Sequence, residues 1–128
     1  MFYGAAWAAG ATARGGALLA AGAEGLAARG IAALASRAAP GALGQIQAAG
    51  RMVGRLGLSQ TRAASLLTNA LGRMGYEIGD DQMINGVRYL ISATSNSQGV
   101  SHALGIATNG AVTNAKVRFV QGAYQLIP

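Results

Sequence analysis

Cysteine is missing from this chain, and aromatic and acidic residues are few. Without cysteine there can be no disulfide framework, no zinc site built on thiolates and no thiol nucleophile. Aromatic residues make up only 5% of the 128 residues, and large apolar side chains are scarce before residue 56. Because such side chains fill protein cores, the sequence predicts that a sizeable core forms only in the C-terminal half.

Long apolar runs are missing too. Arg14, Glu24, Arg29 and Arg37 interrupt the apolar N-terminal segment at intervals too short for a membrane span of about 18 residues. A secretory signal of the usual form is not predicted, because no basic segment precedes an apolar core. The chain also lacks a P-loop, a dinucleotide-binding glycine motif and a Gly-x-Ser-x-Gly elbow, so the corresponding nucleotide-binding and hydrolase sites are not predicted.

The charge that is present is mostly positive. Lys and Arg total 10 against 4 Asp and Glu, which gives a net charge of +6 and a pI of about 10.9. Lys116 is the only lysine, so the other cations are arginines, which bind phosphate through two parallel hydrogen bonds. This balance favours a polyanionic partner: a nucleic acid, an anionic membrane or an acidic protein. The alternative is that the charge only keeps an alanine- and glycine-rich chain soluble.

Residues 1–57 are rich in alanine and glycine and are predicted to form a helical arm or a linker. Alanine favours helix, whereas each interior glycine costs about 1 kcal/mol relative to alanine. Short helices broken at Gly15-Gly16, Gly30 and Pro40-Gly41 are therefore expected. Two alternatives stay open, a low-complexity linker and a helical arm that packs on the rest of the chain. Small residues spaced four apart are also typical of membrane-associating helices.

Residues 58–128 are predicted to form one compact domain, which opens with a helix over residues 59–74. Ser59 is a favourable N-cap, and Gly75 is a favourable residue just beyond the last turn. Apolar residues recur at helical spacing and define one buried face: Ala63, Leu66, Leu67, Ala70, Leu71 and Met74.

Glu77, Asp80 and Asp81 form the only acidic cluster. One or two carboxylates with water can hold a hard cation such as Mg²⁺, but such a group is more often a solvated turn. A two-metal nuclease would need more ligands than these. We therefore predict no metal and no cofactor.

The remaining sequence predicts antiparallel strands. Residues 83–94 alternate as a half-buried strand does, and residues 95–99 have the composition of a loop. Asn109-Gly110, between two alternating runs, predicts a two-residue hairpin turn, and Gly122 is expected to break the last strand. The predicted fold class is α+β: N-terminal helices followed by a three- or four-stranded antiparallel β-meander.

A two-residue turn would fix which side chains share a face. It pairs Ile106 with Thr113, Leu104 with Ala115, and His102 with Val117. One face is then core-like: Leu104, Ile106, Val117 and Phe119. The other face places small side chains opposite long basic ones, as a shallow basic trough that suits a sugar–phosphate backbone: Ser101, Ala103, Gly105, Ala107, Asn114, Lys116 and Arg118. The alternative is a solvated outer face with no partner.

His102 is the only histidine. An unperturbed imidazole titrates near neutral pH and can act as a general acid or base. The alternative is an edge histidine half-buried against Val117. A three-residue turn would move His102 opposite Arg118 and place it with Lys116 on the basic face, so one residue of register decides between the two.

Several further side chains are candidates for chemistry. They are cations and hydroxyl groups of the predicted sheet: Arg88, Ser92, Thr94, Ser95, Lys116, Arg118 and Tyr124. One histidine with such residues is sufficient for metal-free RNA cleavage. A base takes the proton of the ribose 2′-OH, the oxygen attacks the adjacent phosphate, and cations stabilise the phosphorane.

An Ala/Gly-rich apolar segment before a small basic domain of helix and antiparallel sheet resembles the C-terminal toxin modules of bacterial polymorphic toxins, of the contact-dependent inhibition and Rhs types. Among these, residues 58–128 look most like the metal-independent ribonucleases of the barnase–EndoU–colicin–RelE group. The resemblance covers architecture and residue types. By that resemblance the catalytic residues are His102, Lys116, Arg118, Thr94 and Tyr124. Arg88 and Ser92 are then expected to join Lys116 and Arg118 in RNA binding.

The same resemblance implies a partner and a site of action. The expected substrate is tRNA or rRNA, and an acidic cognate immunity protein is expected to cover the basic face. A bacterium would secrete or deliver the toxin, which would act in the cytoplasm of the target cell. Two other functions stay open: a non-enzymatic membrane-active or virion structural protein with residues 1–57 as its apolar arm, and a nucleic-acid-binding module without turnover.

Overall fold

The computed structural model describes residues 22–128. In this part of the chain three helices precede five strands: α1 (Gly22–Ala38), α2 (Ala42–Gly54), α3 (Gln60–Arg73), β1 (Ile78–Ile84), β2 (Val87–Ser92), β3 (Val100–Ile106), β4 (Val112–Val120) and β5 (Ala123–Leu126). The predicted class, α+β with N-terminal helices and an antiparallel meander, is confirmed. The predicted count of three or four strands is wrong, because the sheet has five.

The predicted interruptions of the N-terminal helices have different outcomes. The break at Pro40-Gly41 is confirmed, because α1 ends at Ala38 and α2 begins at Ala42. The break at Gly30 is wrong, since α1 runs through this exposed glycine. Burial of one face of α1 offsets the roughly 1 kcal/mol that a mid-helix glycine costs. Gly15-Gly16 lies outside the described residues.

The predicted helix over residues 59–74 is confirmed as α3. The Ser59 side chain caps its first turn by accepting a hydrogen bond from the Arg62 backbone N–H at 3.2 Å. Gly75 follows the helix with φ of 88°, the left-handed conformation that favours glycine. The predicted apolar face is buried, except for the half-buried Met74: Ala63, Leu66, Leu67, Ala70 and Leu71.

The sheet is a meander in which each strand pairs antiparallel with the next, in the order β1-β2-β3-β4-β5. The prediction of one strand over residues 83–94 is wrong. A two-residue turn at Asn85 and Gly86, with φ of 52° and 82°, divides this stretch into the end of β1 and all of β2. Asp80 and Asp81 consequently lie in the edge strand β1 and not in a solvated turn.

The tip of the β3–β4 hairpin is at Asn109-Gly110, as predicted, but the turn is longer by one residue. Ala107 N–H donates to Ala111 C=O at 2.9 Å, and Gly110 N–H donates to Ala107 C=O at 2.8 Å. The loop between Ala107 and Ala111 therefore has three residues, with Gly110 at φ of 86°.

This longer turn shifts the whole register. The pairs are Ile106 with Val112, Leu104 with Asn114, and His102 with Lys116. The predicted pairs of Ile106 with Thr113, Leu104 with Ala115 and His102 with Val117 are wrong. A slip of one residue moves each side chain of β4 to the other face relative to β3.

The β4–β5 hairpin turns at Gln121 and Gly122, which confirms the predicted break at Gly122. Gln82 of β1 then links the two outermost strands. Its side-chain amide donates to the Tyr124 carbonyl at 3.0 Å, and its oxygen accepts from the Tyr124 backbone N–H at 3.1 Å. The sheet is therefore curled into a half-barrel.

The two sides of the sheet differ in what covers them. On the helix-facing side, Leu90, Leu104 and Ile106 join the buried residues of the helices in one core. On the concave side, a smaller cluster has Tyr89, Ile91, Ala103 and Val117 at its centre.

Helices α2 and α3 cover the helix-facing side, α2 over β4 and α3 over β1 to β3. Gly50 and Gly54 let α2 approach β4 closely. A Cβ at Gly50 would lie 3.2 Å from Val112 Cγ1, and one at Gly54 would lie 3.1 Å from the Val112 nitrogen. Small residues four apart therefore serve helix–sheet packing here.

The N-terminal helices contribute fully to the core. Seven buried residues of α1 and α2 belong to the helix-facing cluster: Ala28, Ile31, Ala35, Ile46, Ala48, Ala49 and Val53. The expectation that only the C-terminal half forms a core is wrong, because small alanines pack closely enough to bury helix faces. Residues 22–54, within the predicted arm 1–57, thus share one core with residues 58–128. No helix in the described part of the chain is long and apolar enough to cross a membrane.

Candidate nucleic-acid interface

Three predicted site residues meet on the helix-facing side of β3 and β4. His102 pairs directly with Lys116, and Arg118 lies two residues further along β4, opposite Val100. Side chains of directly opposed residues in an antiparallel pair leave the same face, with their Cβ atoms roughly 4.5–5.5 Å apart. The structure therefore brings His102, Lys116 and Arg118 onto one surface, which we call the β4 basic site.

His102 is the buried member of this site, with 7% of its surface exposed. Burial, and to a lesser extent the neighbouring positive charge of Lys116, lower its pKa to about 4. The imidazole is consequently neutral at pH 7. In that state it can accept a proton or a hydrogen bond, but it does not carry the extra proton that a general acid donates.

Lys116 and Arg118 are the exposed members. Between them Val117 is fully buried on the concave side, so strand alternation places both cations on the helix-facing side. Their Cα atoms are two residues apart along a strand, about 6.8 Å. Two cations at this spacing can contact successive phosphates of an extended nucleic-acid strand.

The predicted trough of small residues opposite these cations does not form. Ser101, Ala103 and Gly105 are buried, and they pair with Val117, Ala115 and Thr113. That prediction is wrong because it depended on the two-residue turn. Lys116 and Arg118 lie opposite His102 and Val100 of β3 instead.

Ser92 and Thr94 lie at the end of β2, the other neighbour of β3. Ser92 is 4% exposed and donates its hydroxyl to the Thr94 carbonyl at 2.6 Å. The buried Oγ1 of Thr94 has no hydrogen-bond partner. Ser92 lies on the helix-facing side with Leu90, and its hydroxyl is engaged in holding the chain where β2 ends.

Tyr124 is not brought to this site, because it lies on the concave side of β5. Burial raises the pKa of its hydroxyl, and the negative charge of Asp80 raises it further. The ring instead contacts Phe119 edge-to-face, with centroids 4.9 Å apart and an interplanar angle of 64°. The structure therefore separates Tyr124 from His102 by the thickness of the sheet.

Arg88 is also separate from the basic site. It lies on β2, two strands from β4, and its guanidinium binds the Asp81 carboxylate at 2.6 Å. This ion pair lines a cleft of about 510 Å³ between α3 and the first two strands, together with Thr61, Ser65 and Thr68. The Arg88 charge is thus engaged within the chain.

The acidic residues do not assemble a metal site. Asp80 and Asp81 lie in β1, and Glu77 precedes it. Across residues 22–128, no three His, Asp or Glu side chains gather closely enough to hold a metal ion.

Two features of the sheet were not predicted from the sequence. Phe119, predicted to be a core residue, is 58% exposed, because β3 begins at Val100 and leaves it without a neighbour on that side. The Asp81–Arg88 pair was missed because the hairpin at Asn85-Gly86 was not recognised. That dipeptide between two alternating runs is the signal that could have found it.

No protein-family model, no curated protein and no solved structure matches this chain. The resemblance to polymorphic-toxin ribonucleases therefore continues to depend on architecture and residue types alone.

Proposed function

We propose that this chain binds RNA at the β4 basic site and cleaves it without a metal ion, as the toxic domain of a bacterial toxin. The observation that carries the proposal is the juxtaposition of His102 with Lys116 across the β3–β4 pair, with Arg118 next along the strand. A neutral imidazole beside two exposed cations supplies a proton acceptor and two phosphate contacts on one surface.

Binding is the first part of the proposal. Lys116 and Arg118 contact neighbouring phosphates, and the net charge of +6 steers the chain towards polyanions. No acidic residue follows Asp81 in the sequence, so the charged side chains of the strands from β2 onward, Arg88 of β2 and Lys116 and Arg118 of β4, are all cations. Charge supports RNA affinity at this surface more than at β1, which carries Asp80 and Asp81.

Cleavage is the second part. The His102 imidazole accepts the proton of the ribose 2′-OH, and the 2′-oxygen forms a bond to phosphorus while the bond from phosphorus to the 5′-oxygen breaks. The Lys116 ammonium gives a proton to the departing 5′-oxygen, and Arg118 stabilises the charge of the phosphorane. The products are a 2′,3′-cyclic phosphate and a free 5′-hydroxyl.

The test is incubation of the full chain with total tRNA in EDTA, followed by analysis of the new ends. We expect cleavage that EDTA does not slow and that leaves a 2′,3′-cyclic phosphate. Cleavage that appears only when Mg²⁺ is added would contradict the metal-free mechanism. Products with a 5′-phosphate would contradict attack by the 2′-oxygen.

A second function is favoured by the low basicity of His102. A base with a pKa of about 4 accepts a proton weakly, and catalytic groups work best when their pKa lies near the working pH. The same surface would then bind RNA without turnover. Salt-sensitive RNA affinity together with intact tRNA after prolonged incubation would identify this binding module.

The toxin role brings a partner with it. A toxin that is active in the cytoplasm of the cell that makes it would need an inhibitor there, and an acidic immunity protein would cover the exposed Lys116 and Arg118. The toxin would be delivered by a bacterium and would act in the target cytoplasm on tRNA or rRNA. Growth arrest on expression of the chain, relieved by an acidic protein that protects both cations, is the expected result.

A further inference from the structure

We infer that the gap between the edge strands β1 and β5, which we call the seam, binds an extended peptide segment of a partner protein as a sixth strand. Basic and apolar side chains alternate along this segment. The inference goes beyond the proposed function and does not depend on it, because neither RNA nor the β4 basic site takes part.

The two edges of the seam are joined by a side chain, at a place where a strand could lie. Gln82 of β1 exchanges two hydrogen bonds with the backbone of Tyr124 in β5. Its amide donates to the Tyr124 carbonyl at 3.0 Å, and its oxygen accepts from the Tyr124 N–H at 3.1 Å. Directly opposed residues of antiparallel strands exchange the same pair of bonds. The Gln82 amide therefore takes the place of a peptide group in a neighbouring strand.

The β1 edge is capped by a side chain as well. The Asp81 backbone N–H donates to the Asp80 carboxylate at 2.8 Å. The seam is wider than one strand spacing of about 4.8 Å, since a side chain and not the backbone of β1 reaches β5. Backbone N–H and C=O groups at a sheet edge are the groups to which an added strand bonds. A peptide that displaces Gln82 can therefore bond to both edges.

One face of the added strand meets carboxylates. The cleft of about 510 Å³ between α3 and the first two strands lies along β1, and Asp80 and Asp81 line it. Glu24 borders the cleft, because it accepts a hydrogen bond from the lining residue Ser65 at 3.2 Å. Arg88 neutralises Asp81, so the charges of Asp80 and Glu24 remain to attract a cation. Basic side chains on the partner strand suit this local surplus of negative charge.

The other face of the added strand meets apolar side chains. Leu126 of β5 pairs with the buried Val117 and therefore lies on the concave side, where 40% of its surface is exposed. Tyr124 of β5 and Ile84 of β1 pack partly buried against the concave cluster. Since successive side chains of a strand leave opposite faces, the seam selects a peptide in which apolar and basic residues alternate.

A peptide strand satisfies the backbone groups, the carboxylates and the apolar side chains together. A nucleic acid is repelled by the carboxylates of the cleft, since its backbone carries one negative charge per phosphate. A lipid chain has no donors and acceptors for the backbone groups that Gln82 now occupies. The chemistry of the seam therefore points to an extended polypeptide.

The experiment measures binding of the full-length protein to a labelled synthetic peptide of about six residues in which lysine and valine alternate, by fluorescence anisotropy. We expect saturable binding. A peptide with glutamate in place of lysine should bind roughly tenfold more weakly, because the cleft repels it. A lysine–valine peptide with alternate backbone nitrogens methylated has the same side chains but lacks strand donors. It should also bind roughly tenfold more weakly.

Variants of the protein test the residues at the seam. Asp80→Asn should weaken binding of the lysine–valine peptide by roughly 3- to 5-fold, the effect of losing an exposed charge pair. Glu77→Gln removes the same charge outside the cleft and should leave the affinity nearly unchanged. Gln82→Ala removes the competing amide and should tighten binding by roughly 3- to 30-fold. Circular dichroism shows whether each fold is intact, and Asp80→Asn tests the inference if Gln82→Ala does not fold.

A direct signature comes from the backbone amides, observed by NMR. Peptide binding should shift the amide resonances of Tyr124 and Leu126 in β5 and those of Asp81 and Met83 in β1. The amide of Leu104 in the central strand β3 should shift little. Shifts confined to the β4 basic site would overturn the inference.

The other outcomes are equally decisive. Equal binding of the glutamate peptide would overturn the charge selection, and equal binding of the methylated peptide would overturn strand addition. Absence of binding would overturn the inference altogether, and aggregation of Gln82→Ala would then show that this amide only protects the sheet edges. Self-association of the full chain without peptide, seen by analytical ultracentrifugation, would assign the seam to a second copy and not to a partner. Cleavage of tRNA is measured separately, so the proposed function stands or fails independently.

Discussion

The sheet contains two hairpins that turn at the same dipeptide, Asn-Gly, and they differ in almost every other respect. The β1–β2 hairpin turns with both Asn85 and Gly86 at positive φ, which is the two-residue geometry. In the β3–β4 hairpin only Gly110 has positive φ, and the loop has three residues.

A tertiary contact accompanies this difference. A Cβ at Gly110 would lie 2.1 Å from the Leu58 carbonyl oxygen, so the chain before α3 is packed directly against the turn. Nothing lies within 4 Å of the corresponding position at Gly86. The exposed turn adopts the geometry that Asn-Gly prefers by itself, whereas the covered turn adopts another one.

The charges of the two hairpins differ as well. The first places Arg88 against Asp81, a pair of opposite charges at 2.6 Å. The second places His102 opposite Lys116, a pair in which the lysine charge opposes protonation of the imidazole. Because the imidazole is neutral, this pair does not give the sheet the attraction between opposite charges that stabilises opposed side chains. We therefore expect a pair such as His102 and Lys116 where the surface has a function. The comparison of the two hairpins points to β3 and β4 as that surface.

The largest expected effect is at His102. If it accepts the 2′-OH proton, His102→Ala should lower the rate of tRNA cleavage in EDTA by roughly 10²- to 10⁴-fold. The steady-state cleavage rate measures this, and RNA affinity should change much less than the rate. Full activity in His102→Ala, with an unaltered circular dichroism spectrum, would move the chemistry to the cations and hydroxyl groups.

Gly110→Ala should lower the free energy of unfolding more than Gly86→Ala, because only Gly110 is packed against another part of the chain. Gly110→Ala places a methyl group against the Leu58 backbone and strains a positive φ, so it should lower the free energy of unfolding by roughly 3–5 kcal/mol. Gly86→Ala strains φ only, at a cost of about 1–2 kcal/mol. Urea unfolding of both variants checks this, and equal losses would show that Leu58 does not constrain the turn.

The two Asn-Gly turns also show how much of the fold could be predicted from the sequence. Three local signals predicted their structures correctly. Apolar periodicity located α3, Ser59 marked its cap, and the Asn109-Gly110 dipeptide marked the hairpin tip. Local signals could not reveal the contact between Leu58 and Gly110, because these residues are far apart in the chain. This contact accompanies the change in register. The extra residue in this turn pairs His102 with Lys116 instead of Val117. It therefore changes which residues form the candidate site. Phe119 was wrongly predicted to be a core residue. The alternation of side chains along β4 does not show that β3 begins only at Val100 and leaves Phe119 without a neighbour.

Acid should weaken the fold through His102. Its pKa is about 4 in the folded protein and about 6.5 in an unfolded chain, so the unfolded state binds the proton more tightly. This contribution to stability is complete above pH 6.5 and is lost as the pH falls towards 4, on the order of 2–3 kcal/mol. Between pH 7 and pH 4.5, wild type should lose more free energy of unfolding, measured by urea, than His102→Gln. A constant difference between the two proteins would refute the depressed pKa.

The smallest expected effect is in the first hairpin. Asp81→Asn removes the charge that faces Arg88, but both side chains are partly exposed, so the loss of stability should stay below about 1 kcal/mol. Thermal unfolding at low salt and at 1 M salt measures it. The difference from wild type should shrink at high salt, because ions screen exposed pairs. A loss of several kcal/mol would mean that the pair organises the hairpin.

The most direct test of the account is the salt dependence of RNA affinity, measured by fluorescence anisotropy for two variants that remove the same charge. Lys116→Gln/Arg118→Gln changes the β4 basic site, and Arg29→Gln/Arg37→Gln changes two exposed cations of α1. If the basic site contacts phosphates, the first variant should flatten the slope of log K against log salt concentration by about 1.4 for single-stranded RNA, and the second should leave it nearly unchanged. Equal changes in both variants would show that net charge alone attracts RNA, and would contradict a site at β4.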